Sequence, residues 1–235
     1  MKPVAIFRHV PTEGPGYFAI YLERLNIPWR VIAIDAGDAV PRDPYAFSGF
    51  AFMGGPMSVN DDLPWIAPVL ELIRASVAAD VPVLGHCLGG QLISKALGGT
   101  VTRNPIKEIG WGEVAIVDVP VARDWFGHAA PSFTSFHWHG ETFSLPPGAE
   151  RVLTNPHCEN QGFALGRHLG MQCHIEMTPE MVDAWCVSGA GEISRSKSPA
   201  VQSVAAIRNA SERELAKLHA VADGVYARWI EGLVR

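Results

Sequence analysis

One short stretch constrains this chain more than any other. In residues 85–89, with the sequence GHCLG, a cysteine stands between two glycines. The apolar, partly β-branched residues 81–84 precede it and indicate a buried strand. Apolar side chains after it recur at helical spacing, and the glycine pair at residues 98–99 ends the predicted helix. Cys87 is therefore predicted to lie at a sharp turn from strand to helix.

This setting gives Cys87 a chemical role. In so tight a turn the residues two before and two after the cysteine approach each other, which requires small residues such as Gly85 and Gly89. The unpaired N–H groups at the start of the helix carry partial positive charge and favour a thiolate over a thiol. An isolated cysteine is typically a small buried hydrophobe, but the flanking glycines and the change of element predict that Cys87 is a nucleophile.

Composition limits the classes of protein that remain. A chain of 235 residues that is 48% hydrophobic can bury one good core, which predicts a single domain over residues 1–235. The net charge of −5, without a basic cluster, argues against nucleic acid and anionic membranes as partners. The four cysteines show neither paired nor metal-finger spacing, and we expect free thiols in a reducing cytoplasm. The chain starts directly in a predicted strand, and we expect neither a signal peptide nor a membrane span.

Apolar runs and helical patterns alternate through the first hundred residues. Strands are predicted at residues 4–10, 29–34, 50–53 and 81–84, and helices follow the first and third of them at residues 17–25 and 66–77. Such alternation is typical of a parallel sheet with helices on both faces.

The second half has a different pattern. Short strand-like runs at residues 112–119, 133–139, 151–154, 162–165 and 169–175 predict antiparallel strands added to the core. Thr178 and Pro179 predict a helix start, and Ser211 with Glu214 predicts a capping box for the last helix, whose apolar stripe should pack on this chain. Residues 189–199 are polar and small and predict a loop.

A histidine and a glutamate provide partners for the cysteine. His174 and Glu176 are two residues apart after a predicted strand, so their side chains should share a face. The carboxylate could then fix the tautomer of the imidazole and stabilise the imidazolium. Two surface polar residues at this spacing are common, and it is the combination with Cys87 that favours a catalytic role.

Two further segments are ambiguous from sequence alone. His137 and His139 share a strand face and could be metal ligands, but a third ligand at suitable spacing is missing, and no metal is expected. Residues 54–56, with the sequence GGP, end a predicted strand and could be an ordinary turn or a loop that approaches a substrate closely.

These motifs, in this order, resemble those of the class I (triad) glutamine amidotransferases. Residues 85–91 are similar to the Gly-x-Cys-x-Gly-x-Gln signature, and residues 174–176 to the His-Pro-Glu motif, with Ile175 in place of the usual proline. The resemblance implies a three-layer, flavodoxin-like α/β sandwich with a mostly parallel central sheet and added antiparallel strands in the second half. It also implies a Cys87–His174–Glu176 triad and no cofactor.

The same resemblance assigns binding groups. It implies an oxyanion hole formed by the backbone N–H groups of Gly55 and Leu88. The substrate pocket that it implies is lined by Gln91, Trp138, His139, Gly140 and Glu141.

The function implied is hydrolysis of the γ-amide of glutamine through a cysteine thioester, with ammonia released for a separate synthase subunit. The segment most resembles the stand-alone amidotransferase domain of GMP synthase. An independent γ-glutamyl hydrolase acting on a γ-glutamyl peptide or amine is an alternative. A non-hydrolytic redox sensor or chaperone with a cysteine elbow is a third, and it would leave His174 and Glu176 unexplained.

Overall fold

Helices and strands alternate in the first hundred residues, as predicted. The structure is a computed structural model that describes residues 1–127 and 130–234. Its first elements are β1 (Val4–Arg8), α1 (Gly16–Arg24), β2 (Trp29–Ala33), β3 (Gly49–Phe52), α2 (Ile66–Ala78), β4 (Val83–His86) and α3 (Leu88–Ala96). The four strands pair in parallel. β1, β3 and β4 are almost continuously apolar because both of their faces are covered.

The second half adds antiparallel strands to one side of this sheet. Its elements are β5 (Val101–Ile116), α4 (Pro120–Phe126), β6 (Ser132–Phe143), β7 (Glu150–Thr154), β8 (Gly162–Leu165), β9 (His168–Met171), α5 (Pro179–Ser188), α6 (Ala190–Arg195), β10 (Ala200–Val201) and α7 (Val204–Ile230). The strand order is β10-β5-β7-β8-β9-β4-β3-β1-β2, and β6 pairs with β5. β9 is antiparallel to β8 and parallel to β4, so it joins the antiparallel strands to the parallel part in the middle of the sheet.

The sheet lies between two layers of helices, and a cluster of buried apolar side chains fills the space on each of its faces. Phe18 of α1 and Tyr226 and Trp229 of α7 belong to the cluster on one face of the sheet. Val69 of α2 and Leu92 of α3 belong to the cluster on the other face. This arrangement confirms the predicted three-layer α/β class. The apolar stripe of the last helix packs on its own chain, as expected.

The structure corrects the predicted start of the last helix. α7 begins at Val204, and Ser203 caps it by accepting a hydrogen bond from the N–H of Ala206 at 3.2 Å. Ser211, predicted as the cap, lies inside the helix. The capping-box pattern at Ser211 was misleading because the alanine-rich residues before it are good helix formers.

The predicted loop at residues 189–199 is also wrong in part, because it contains α6 and leads directly into β10. The predicted strand at residues 112–119 begins much earlier, at Val101. Its first part is polar and contains Pro105, and the pairing with β6 there includes an irregularity between Arg103 and Glu108. Pairing with a neighbouring strand stabilises this segment, and periodicity alone does not indicate it.

The parallel strands determine where a site can form. The carboxyl ends of β1, β3, β4 and β9 lie at one edge of the sheet. The loops that follow these strands therefore meet, and they contain Glu13, Gly55, Cys87 and His174.

Candidate active site

The turn between β4 and α3 has the geometry that the sequence predicts. Cys87 lies between them with φ 50° and ψ −106°. A Cβ on Gly85 would lie 2.4 Å from the carbonyl carbon of Gly89, and a Cβ on Gly89 would lie 1.9 Å from the carbonyl oxygen of Phe52. Neither position accepts a side chain. The crowding expected across the elbow is therefore present.

Cys87 differs from the other cysteines in its surroundings. Its sulfur accepts a hydrogen bond from Nε2 of Gln172 at 3.4 Å and lies 3.9 Å from the carbonyl oxygen of Trp138. Burial raises the pKa of Cys158 to about 11 and that of Cys173 to about 12. Burial also raises the pKa of Cys186. These three thiols stay protonated near neutral pH, which makes them poor nucleophiles.

His174 and Glu176 adjoin this cysteine as a hydrogen-bonded pair. Nδ1 of His174 lies 2.6 Å from Oε1 of Glu176, and both side chains are almost fully buried. β9 ends at Met171, before this pair. A bridge to β6 continues the alignment, with the N–H of His174 donating to the carbonyl of Phe136 at 2.8 Å. His174 thus keeps the alignment of a strand residue after β9 has ended, because it pairs with β6.

The charges of the pair support each other. Burial alone would lower the pKa of His174, but the Glu176 carboxylate and the Cys87 sulfur outweigh it and raise the pKa well above its usual value. Burial alone would raise the pKa of Glu176, but His86 and His174 lower it to about 2. Glu176 is therefore ionised at neutral pH and stabilises the imidazolium form of His174.

Two residues that the sequence analysis did not single out, His86 and Tyr226, form a buried group next to Glu176. Nε2 of His86 lies 3.7 Å from Oε2 of Glu176 and 3.3 Å from the hydroxyl of Tyr226. Burial lowers the pKa of His86, and the nearby Glu176 carboxylate opposes this shift. Tyr226 is 140 residues away in the chain, and no local pattern could have connected it to this site.

A cavity of about 850 Å³ opens over Cys87. All the residues predicted for the substrate pocket line it: Gln91, Trp138, His139, Gly140 and Glu141. Gly55 lines it too, and a Cβ there would lie 2.8 Å from Cδ2 of Leu88. Leu88 is the first residue of α3, so its N–H has no acceptor one turn earlier within the helix. Gly55 and Leu88, the two residues predicted to supply the oxyanion donors, are therefore neighbours.

The lining residues are held by side chains that the sequence analysis missed. Nε2 of Gln91 donates to Oε1 of Gln172 at 3.1 Å, which connects it through Gln172 to the sulfur of Cys87. The hydroxyl of Ser58 donates to Oε1 of Glu141 at 3.1 Å. Gln172 is two residues before His174, and the alternation that paired His174 with Glu176 would also have indicated it.

His137 and His139 do have a third potential ligand, which the spacing of the sequence did not reveal. Glu108 is paired in register with His139 across β5 and β6. The ligand atoms of Glu108, His137 and His139 lie within 4.8 Å of one another. The sequence could not indicate this group because the carboxylate comes from the neighbouring strand.

The carboxylate of Glu108 already has partners. Its oxygens accept hydrogen bonds from Nε2 of His139 at 3.0 Å, Nδ2 of Asn155 at 2.6 Å and Nε2 of Gln161 at 2.8 Å. His139 also has Nδ1 2.9 Å from the carbonyl oxygen of Glu141. These bonds fix the orientation of the His139 ring and connect it to the main chain at Glu141. The cluster could hold a metal ion only by giving up part of this network.

Comparison with known proteins agrees with the geometry. The profile of a family described as class I glutamine amidotransferase matches residues 18–186. The chain belongs to this family. The amidotransferase-like protein YfeJ of Salmonella typhimurium is 31% identical over 74% of this chain and 76% of that protein. The GMP synthase of Aeropyrum pernix is 33% identical over 65% of this chain, but the match covers only 29% of the synthase.

Solved structures of amidotransferases have the same fold. The crystal structure of a glutamine amidotransferase from Methylobacillus flagellatus is 46% identical, with a TM-score of 0.97 over 100% of this chain and 96% of that chain. This similarity confirms the flavodoxin-like sandwich. Within the described residues, none of the helices has the length and apolar composition that crossing a membrane requires.

Proposed function

We propose that this amidotransferase hydrolyses the γ-amide of glutamine through a thioester on Cys87. The observation that carries the proposal is the meeting of Cys87, His174 and Glu176 beside one open cavity. A nucleophile, a base and an oriented carboxylate are the parts that acyl transfer requires. We propose that Cys87 is the nucleophile, that His174 is the base and that Glu176 is the carboxylate that orients His174.

The reaction proceeds in two steps. Sγ of Cys87 attacks the carbonyl carbon of the γ-amide, the backbone N–H groups of Gly55 and Leu88 stabilise the oxyanion, and His174 gives its proton to the departing nitrogen. The C–N bond then breaks and ammonia leaves. Water attacks the thioester, His174 accepts a proton from it, and glutamate leaves as the thiolate re-forms. Water is added across one C–N bond, and the balance requires no cofactor.

The glutamyl head group is assigned to the wall formed by β6. Gln91 and the main chain of Trp138, His139 and Gly140 are the proposed partners of its α-carboxylate and α-amino groups. The Glu141 carboxylate, held by Ser58, is the proposed partner of the α-ammonium. Pairing is needed because an unpaired polar group in a closed site costs about 1–3 kcal/mol.

The relatives suggest a use for the ammonia. GMP synthases match this chain over part of their length, and one of the GMP synthase subunits of Sulfolobus acidocaldarius is 33% identical over 46% of this chain. We propose that residues 1–235 act as one amidotransferase domain that releases ammonia to a separate acceptor enzyme. The four free thiols support a reducing, cytoplasmic setting.

A second candidate is an independent γ-glutamyl hydrolase acting on a γ-glutamyl peptide or amine. The cavity favours it, because about 850 Å³ is far more than the side chain of glutamine occupies and lies in the range of about 300–1,000 Å³ typical of drug-sized ligands. A non-hydrolytic redox or chaperone role has less support, since it gives His174 and Glu176 no task.

Active-site labelling tests the shared chemistry. A glutamine-mimicking electrophile should modify Cys87 and spare Cys158, Cys173 and Cys186, as mapped by mass spectrometry. Glutamate release from glutamine and from a panel of γ-glutamyl compounds should be measured with wild type and Cys87→Ala. Label on another cysteine, or equal turnover by both proteins, would contradict the proposal. High turnover of a γ-glutamyl amine or peptide without a partner, with poor turnover of glutamine, would select the second candidate.

A further inference from the structure

The cavity has a second half that the glutamyl head group does not use. Its wall is formed by the loop after β1, with Thr12 and Glu13, and by the end of α5 with Trp185 and Ser188. Cys87, Gly140 and Glu141 line the same cavity. Any group attached to the nitrogen of the γ-amide would extend into this half.

Glu13 lies next to His174, the residue proposed to protonate the departing nitrogen. A Cβ placed on Gly54 would lie 2.2 Å from Oε2 of Glu13 and 3.1 Å from Cε1 of His174. Both side chains therefore border the same small volume. In the proposed reaction His174 protonates the leaving group, so the leaving group passes beside the Glu13 carboxyl.

The triad holds this wall in place. Nε1 of Trp185 donates to the carbonyl of Thr12 at 2.8 Å, and the edge of the Trp185 ring packs on His174 with 4.9 Å between centroids. The N–H of Tyr17 donates to the carbonyl of Glu176 at 2.8 Å. The loop that presents Glu13 is thus fixed to the same segment as His174, which makes it a built wall rather than a free surface loop.

The basic lining residues are on the head-group side, where Arg103 is in register with Glu141 and the side chain of Lys107 lies against Gly140. Lys107 forms an ion pair with Glu192. In the described part of the chain the charged groups acting on Glu13 are His174 and Glu176, and burial and Glu176 together raise its pKa to about 7 despite the attraction of His174. Within residues 1–127 and 130–234, no lysine or arginine neutralises the carboxyl of Glu13.

Two tryptophans, one of which holds the loop of Glu13 through Thr12, form an aromatic part of the cavity wall. Trp138 and Trp185 meet edge to face, with centroids 6.0 Å apart and an angle of 89° between their planes. A carboxylate together with tryptophan rings is the combination that recognises organic ammonium groups.

We propose that this half of the cavity binds a cationic leaving group, so that the substrate is a γ-glutamyl amide of an amine carrying a second ammonium group. This inference rests on the proposed γ-glutamyl hydrolysis and specifies its substrate class. Hydrolysis adds water across the amide C–N bond, releasing glutamate and the diamine, with the proton on the amine nitrogen supplied by His174. Glu13 is a binding residue that pairs with the distal ammonium.

Binding to an inactive protein tests the subsite apart from catalysis. Three probes share the glutamyl head: γ-glutamyl-1,4-diaminobutane is cationic, the γ-glutamyl amide of n-pentylamine has nearly the same size and is neutral, and γ-glutamylglycine is anionic. In Cys87→Ala, calorimetry should find the cationic probe bound roughly tenfold to a hundredfold more tightly than the neutral one, the range for a bond to a charged group. The anionic probe should bind most weakly.

A second substitution assigns the preference to Glu13. In Cys87→Ala/Glu13→Gln the cationic-to-neutral ratio should fall to within about threefold of one, whereas the neutral probe reports whether the fold and the head-group site persist. Cys87→Ala/Glu13→Asp should keep part of the ratio. The matched control is Cys87→Ala/Glu23→Gln, which removes a carboxyl group from the exposed face of α1. It should keep the full cationic-to-neutral ratio. Equal ratios with Glu and Gln at position 13, or no preference in Cys87→Ala, would overturn the inference.

Turnover separates the two proposals. If the protein with Cys87 intact hydrolyses the cationic and neutral probes with equal kcat/KM, the subsite is refuted and γ-glutamyl hydrolysis stands. If Cys87→Ala prefers the cationic probe but the intact protein hydrolyses none of the three, nor glutamine, the subsite stands and the proposed hydrolysis is refuted.

Discussion

Cys87 has a backbone conformation that a residue with a side chain rarely adopts. Its φ is 50° and its ψ is −106°, and such conformations cost about 1–3 kcal/mol each. The surroundings enforce it, since Gly85 and Gly89 pack without room for a Cβ. The strain places the sulfur at the cavity while the residues on both sides remain in regular strand and helix.

This strain predicts an unusual effect of glycine. Cys87→Gly should unfold at a higher denaturant concentration than Cys87→Ala. Its free energy of unfolding should be greater by about 1 kcal/mol, because glycine adopts positive φ without penalty. Both variants should be inactive. Ala216→Gly, in the exposed middle of α7, is the matched control and should lose about 1 kcal/mol, the usual cost of glycine in a helix. Urea titrations of the four proteins would decide it, and a less stable Cys87→Gly would show that the turn is not strained.

The triad residues should differ in what their removal costs. His174→Ala should reduce kcat by about 100-fold to 10,000-fold or more, since it removes the general acid and base. Glu176→Gln should retain measurable activity, because the amide can still orient the ring but no longer stabilises imidazolium. His168→Asn, a buried histidine on β9 outside the cavity, controls for the loss of an imidazole. Near wild-type rates for His174→Ala would move the base to another residue.

At the level of elements, the sequence predicted those features that depend on neighbours in the chain. The elbow at Cys87, the cap at Thr178 and the β–α alternation all arise from local patterns. The contacts of Glu108 with His139, and of His86 with Tyr226, depend on which strands and helices become neighbours. No periodicity contains that information, so the network behind the triad could not be predicted. Ser211 shows the opposite error. Its local pattern predicts a helix start, but the residue lies inside a helix that begins earlier.

The junction of α5 and α6 closes one side of the cavity and depends on a glycine. A Cβ on Gly189 would lie 2.0 Å from Cζ2 of Trp138 and 2.9 Å from the carbonyl oxygen of Trp185. The Trp138 ring, whose Nε1 donates to Glu192 at 2.9 Å, would have to move.

Gly189→Ala should therefore lower kcat/KM by roughly tenfold or more, the size of effect expected when about 1.4 kcal/mol of binding is lost. Gly224→Ala is the matched control, since nothing lies within 4 Å of a Cβ there and the site is an exposed helix interior. It should raise stability by about 0.5–1 kcal/mol and leave kcat/KM unchanged. Steady-state kinetics with both variants, together with thermal unfolding, makes the comparison. Unchanged kinetics in Gly189→Ala would mean that the Trp138 wall is not needed in this position.

Across the whole molecule, buried histidines couple stability to pH. Burial lowers the pKa of each of His9, His137 and His168 to about 4. The pKa in an unfolded chain is about 6.5, so the unfolded state binds more protons between these values. Stability is therefore lost as the pH falls through this window. Glu13 acts in the opposite direction, because its pKa is raised to about 7 mainly by burial and the folded state gains its proton first.

The three histidines with a pKa of about 4, set against one carboxyl, leave a net uptake of about two protons on unfolding near pH 5.5, which predicts that the free energy of unfolding falls by about 2.7 kcal/mol per pH unit. The lowered pKa of His86 acts in the same direction. The raised pKa of His174 does not oppose this trend, because its stabilisation is fully present below about pH 6.5 and is lost only at higher pH. Urea unfolding measured from pH 6.5 to pH 5 gives the slope directly. His168→Asn should reduce it by about 1 kcal/mol per pH unit even if the variant is less stable at every pH, since one titrating group is removed. His157→Asn, where the side chain is exposed, should leave the slope unchanged. A flat profile for wild type, or equal slopes for wild type and His168→Asn, would show that these rings are not held neutral in the folded chain.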